Sequence, residues 1–62
     1  MAARPFSARL RLARRAAGLT QARLAVLVGR TTNTVARWER GEVVPHPRTQ
    51  RDVLAIVKCA IS

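Results

Sequence analysis

Acidic side chains are scarce in this chain. Only Glu39, Glu42 and Asp52 oppose a basic set that is arginine throughout except for Lys58, leaving a formal net charge of +9 over 62 residues. Codon bias can account for part of the choice of arginine over lysine, but not for the missing acids. Cysteine is confined to Cys59, so no disulfide can close within the chain and no metal cluster is spelled out. Secreted chains of this size are normally cysteine-rich, so a reduced, cytoplasmic setting is expected. His46, between Pro45 and Pro47, is the sole histidine, and Phe6 and Trp38 are the only aromatic residues. No apolar run approaches the ~20 residues a bilayer requires. The basic start, Met1 to Arg4, is not followed by an apolar stretch, so no signal peptide is expected. Gly-rich phosphate loops, Cys–His metal spacings, internal repeats and low-complexity linkers are also lacking. These absences argue against an enzyme: no catalytic residue, metal ligand or cofactor is expected.

What is present is positive charge and helical punctuation. Strong positive charge in so short a chain favours a polyanionic partner, whether DNA, RNA or an anionic membrane surface. Arginine forks suit phosphate oxygens and guanine edges. The length permits one domain, and a chain this small buries only roughly 60% of its unfolded surface. Without disulfides or metal, efficient helix packing or oligomerisation must stabilise it.

Residues 1–5 read as a flexible basic arm and 6–62 as one domain. Ser7 can cap a first helix running to about Ala17, with Phe6, Leu10, Ala13 and Ala17 on one stripe, ended by Gly18. Thr20 caps a second helix, about Gln21 to Val28, with Leu24, Ala25 and Val28 inward. Gly29 ends it with an expected positive φ. Thr31 caps a third, about Thr32 to Arg40, with Val35 and Trp38 as its buried pair, closed by Gly41. Glu42 to Pro47 is a loop, since its prolines cannot continue a helix. A last helix, about Arg48 to Ala60, carries Val53, Leu54, Val57 and Ala60 or Ile61 along one face. Period-two alternation is absent, so no strand is expected. The predicted fold is all-α: four short helices around Leu10, Leu24, Val28, Val35, Trp38, Leu54 and Val57. Two helices meeting at a tight glycine turn, the second polar and basic outside, form a unit able to place side chains in a DNA groove.

The ordered set Leu10, Arg14, Gly18-Leu19-Thr20-Gln21, Leu24-Ala25, Val28-Gly29, Thr31, Val35, Trp38-Glu39-Arg40-Gly41 and Pro45 resembles the Cro/C1-type (Xre-like) helix-turn-helix domain over residues 6–45. The resemblance implies a lambda-repressor-like fold whose third helix is the recognition helix. With Val35 and Trp38 inward, residues 32, 33, 36 and 37 point outward from its N-terminal half, the half that reaches base edges in this motif. Thr32 can bond a base or touch a thymine methyl, Asn33 has the donor–acceptor pair that matches adenine, and Arg37 can fork onto guanine or take a phosphate. Ala36 leaves room for a base. The alternative is that these are ordinary solvated helix positions.

Phosphate-contact candidates are Gln21, Arg30, Thr31 and Arg40. Gln21 opens the second helix, where exposed backbone N–H groups and the helix dipole favour an anion. Its amide could also brace the third helix. Arg30 lies in the turn, Thr31 is chiefly a cap, and Arg40 also suits a helix C-terminus as a plain cation. The resemblance further implies a structural, partly buried ion pair between Arg14 and Glu39. Trp38 could be a stacking platform for single strands; its isolation from other aromatics favours a core role.

Some positions depart from the family pattern. Arg23 stands where an acid commonly completes a capping box, Val26 and Leu27 are apolar at usually polar positions, and the fifth helix of many relatives has no counterpart. The last helix has more apolar residues than one stripe needs. Residues 48–61 therefore read as a dimerisation helix, with Val53, Ile56, Val57 and Ile61 as interface candidates and Val26 with Leu27 as a lesser patch; the alternative is a wider buried face in a small monomer. Cys59 reads as a small buried apolar residue.

The expectation is a cytoplasmic homodimeric regulator, bacterial or phage-encoded, that binds an inverted repeat in double-stranded DNA and represses by occlusion. The competing readings are an antitoxin-like protein with a protein partner as well as its own operator, and a nonspecific polyanion or membrane-surface binder. The breaks at Gly18, Gly29 and Gly41 disfavour the membrane reading.

Overall fold

The apolar residues at helical spacing form one buried seam. A computed structural model describes residues 5–61, at Ile61 the backbone alone. Residues 1–4 of the expected arm therefore lie outside the described residues. The chain forms four α-helices: α1 (Phe6–Ala16), α2 (Gln21–Val28), α3 (Thr32–Arg40) and α4 (Pro47–Ile61). No strand occurs among the described residues.

Leu10 from α1, Leu24 from α2, Val35 from α3 and Val57 from α4 are completely enclosed, so every helix contributes to one core. Fully burying such a side chain is worth about 1.5–3 kcal/mol, enough to hold helices too short to stand alone in water. Phe6, Ala25, Trp38 and Val53 complete the core, and the Phe6 and Trp38 rings meet edge to face with centroids 6.3 Å apart. Val28 and Leu54, expected at its centre, are only half-buried against it. The helices α3 and α4 each pack on both α1 and α2.

Two boundaries differ from expectation for identifiable reasons. Ser7 does not cap α1. The helix begins two residues earlier than a Ser7 cap implies, at Phe6 after an extended Pro5 whose carbonyl accepts the Arg9 N–H at 3.1 Å, and the Pro5 side chain makes no cap bond. Burial of Phe6 beside Trp38 sets this start. Helix α4 begins at Pro47 rather than Arg48, because proline has no N–H to leave unsatisfied and its fixed φ suits the first helical position. His46 supports that start: its Nδ1 accepts from the Arg48 N–H at 3.1 Å and its carbonyl from the Gln50 N–H at 2.9 Å.

The interface assignments in α4 need correction. Val53 and Val57 face the core of their own chain and have almost no exposed surface, so they are unavailable to a second copy. Ile56, on another side of the helix, is half-buried, and Cys59, expected to be buried, is exposed. The side chain of Ile61 lies outside the described residues.

Candidate nucleic-acid interface

The turn between α2 and α3 is built by hydrogen bonds that complete one helix and open the next. Gly29 takes φ +71°. Its N–H bonds to the Val26 carbonyl at 3.3 Å, and the Arg30 N–H reaches the Ala25 carbonyl at 2.9 Å. These paired bonds satisfy the last carbonyls of α2 while reversing the chain. Thr31 then caps α3. Its hydroxyl accepts from the Thr34 N–H at 3.2 Å and pairs with the Thr34 hydroxyl at 2.9 Å.

Helix α3 is sharply divided between an inner and an outer face. Val35, Trp38 and Glu39 are buried, at the three- and four-residue spacing that selects one helix face. Thr32, Asn33 and Arg37 are exposed, and Ala36 is half-buried beside them. Among the described residues, no side-chain hydrogen bond occupies Thr32, Asn33 or Arg37. Their polar groups are held on a fixed helix and remain available to a ligand.

Glu39 anchors this face from behind. Its side chain is 4% exposed, and it accepts two bonds from Arg14, from Nε at 2.6 Å and from Nη2 at 3.1 Å. Arg14 also donates to the Leu19 carbonyl at 2.8 Å, tying the α1–α2 turn into the same network. The fork-on-carboxylate geometry is the strong form of such a pair. Gln21 Nε2 donates to Glu39 Oε1 across 3.3 Å, so the amide at the start of α2 is linked to the back of α3. Arg11 donates to the Glu39 backbone carbonyl at 2.8 Å, a contact the sequence reading missed. Its only sequence signal is that Arg11 and Arg14, three apart on α1, share a face.

The remaining candidates lie around α3. Arg30 is exposed in the turn, and Thr31 is exposed while serving as the cap. Arg40 is exposed at the end of α3 and donates to the Glu42 carboxylate, with both side chains about half exposed. A pair so open to water is weak, so Arg40 can exchange Glu42 for another anion at little cost. Gly41 carries φ +76° and closes α3 with the same bond pattern as Gly29, its N–H on the Trp38 carbonyl and the Glu42 N–H on the Arg37 carbonyl. Gln50 Nε2 fastens the following loop through the Pro45 carbonyl at 2.8 Å. Trp38 is buried, in agreement with a core role and not a stacking platform.

A short helix, a glycine turn and a second helix with a polar outer face define a helix-turn-helix protein, a class built for binding DNA. Residues 5–59 match the family of helix-turn-helix domains, and the chain belongs to that family. The match is in keeping with the Cro/C1-type resemblance of residues 6–45 and extends beyond it at the C-terminal end. No curated protein and no solved structure matches the chain. Among the described residues, no helix is long and apolar enough to cross a membrane.

Proposed function

We propose that the chain is a sequence-specific regulator of transcription that lays α3 in the major groove of duplex DNA. The observation that carries this reading is the division of α3. Thr32, Asn33 and Arg37 are exposed and unengaged, while Val35, Trp38 and Glu39 fix the helix from behind. In this reading Thr32, Asn33 and Arg37 meet base edges, and Gln21, Arg30, Thr31 and Arg40 meet phosphates and set the register. Arg14 and Glu39 hold the two helices together without touching DNA. The net charge of +9 supports a large electrostatic share of the affinity.

The regulator acts as a homodimeric repressor or autoregulator on an inverted repeat, blocking polymerase by occupying the operator. The dimer contact falls on the side of α4 that carries Ile56, where Leu27, Ala55, Ile56, Cys59 and Ala60 line a shallow apolar depression of ≈ 370 Å³. Val26 is 70% exposed on α2. An apolar surface of this kind favours a partner, and a two-fold axis would place two copies of α3 about one DNA turn apart.

Titration of fluorescent duplexes with Arg37→Ala and Arg30→Ala tests the division of roles. Arg37→Ala is expected to lose about 1–3 kcal/mol on the preferred duplex and little on mismatched ones, relaxing specificity at one base pair. Arg30→Ala should weaken all duplexes alike and flatten the salt dependence. A uniform loss from Arg37→Ala would reassign Arg37 to the phosphates. Specificity unchanged by both Arg37→Ala and Asn33→Ala would remove α3 as the reader.

A further inference from the structure

Helices α1 and α4 enclose a cleft that the proposed DNA-binding face does not use. It has a volume of ≈ 490 Å³, and its lining includes Arg9 and Ala13 from α1 and Arg51, Leu54, Ala55 and Lys58 from α4. That volume lies in the range of ligand-binding clefts. Arg9, Arg51 and Lys58 are exposed, and no acidic side chain lines the cleft among the described residues. Arg51 and Lys58 are two turns apart on α4, about 10 Å along the helix, and Arg9 approaches from the opposite wall. Between the cations lies an apolar floor of Ala13 and Leu54. Three like charges around apolar surface, with no counter-charge in the lining, complement a ligand that is both anionic and apolar.

We propose that this cleft docks an acidic amphipathic segment of a protein partner. Carboxylates two turns apart would meet Arg51 and Lys58, a third would reach Arg9, and an apolar side chain between them would seat on Ala13 and Leu54. A nucleic-acid backbone would satisfy the cations but leave the apolar floor uncovered, which favours protein over a second duplex. No α3 residue lines the cleft, and α3 and α4 are joined chiefly through α1 and α2. The chain can therefore hold DNA and an acidic partner together. This site stands independently of the DNA reading.

The test is an NMR titration of the isotope-labelled full chain with an amphipathic helical peptide carrying glutamates two turns apart and leucine between them. Its glutamine-for-glutamate counterpart is the control, and both titrations are repeated with a mixed-sequence duplex present. The expected result is amide shifts centred on the α1 and α4 residues of the cleft, persisting with the duplex bound. Binding should weaken about tenfold with the glutamine peptide and with Arg51→Glu or Lys58→Glu. Equal binding of the glutamine peptide, or shifts centred on α3, would overturn the proposal. Displacement of the peptide from the cleft by the duplex would also overturn it, making the cleft a phosphate-binding surface. The glutamine peptide tests charge on the unaltered chain, so the outcome does not depend on any variant folding.

Discussion

Glu39 bears more structural responsibility than its size suggests. It is the buried acid among the three in the chain, and it receives Arg14 and Gln21 on its carboxylate and Arg11 on its carbonyl. Glu39→Ala strands the Arg14 guanidinium, whose side chain is only 14% exposed. Breaking a buried pair in this way costs about 3–5 kcal/mol, and slight solvent access to Arg14 places the expectation near the lower end. A domain of this size has only several kcal/mol of stability to lose. Urea denaturation followed by helical circular dichroism should therefore find Glu39→Ala close to unfolded without denaturant. Arg40→Ala, which breaks the exposed pair with Glu42, should shift stability by less than about 1 kcal/mol. Equal effects of the two substitutions would contradict the network described here. The Arg14–Glu39 pair was legible through the family resemblance. The Arg11 contact was not, because its acceptor is a backbone carbonyl, which leaves no mark in side-chain identity.

Individual helices were legible wherever local chemistry decides them. Thr20 and Thr31 cap α2 and α3 as their positions suggest, and Thr20 still accepts the Arg23 N–H at 3.0 Å although no acid completes a capping box. The glycine at the α2–α3 turn is required by its backbone. An added Cβ at Gly29 would meet nothing within 4 Å, yet φ is +71°. Gly29→Ala should thus cost about 1–2 kcal/mol from backbone strain alone, and Gly29→Asn less, since asparagine tolerates this region better. Thr31→Ala should cost about 1 kcal/mol by removing the cap of α3. Thermal melts of the variants would check both, and a neutral Gly29→Ala would show that the turn is not held as described. The start of α1 was misjudged because a capping preference is a local prior, while the position of Phe6 is set by Trp38 far along the chain. In α4, apolar residues occur at 53, 54, 56 and 57, on more than one side of the helix. Spacing alone puts Val53, Leu54 and Val57 on one face, and Val57 lies in the core as expected; packing against α1 and α2 encloses Val53 and Val57 so fully that neither can also serve an interface.

For the molecule as a whole, charge and fold answer different questions. The +9 balance pointed to a polyanion from composition alone, but net charge says nothing about which surface is used. The fold separates two basic surfaces: one around α3 and the turn before it, the other in the α1–α4 cleft. The first was readable because the helix-turn-helix pattern is consecutive in sequence. The second joins residues such as Arg9 and Lys58 that only tertiary packing brings together. Whether α3 reads sequence is measured most directly by selection from a random duplex library at physiological salt, read by sequencing. Enrichment of an inverted repeat whose half-sites are centred about 10 bp apart is the expected result. Retention without enrichment, vanishing as salt rises, would contradict it and leave only nonspecific attraction between this cationic chain and the DNA backbone.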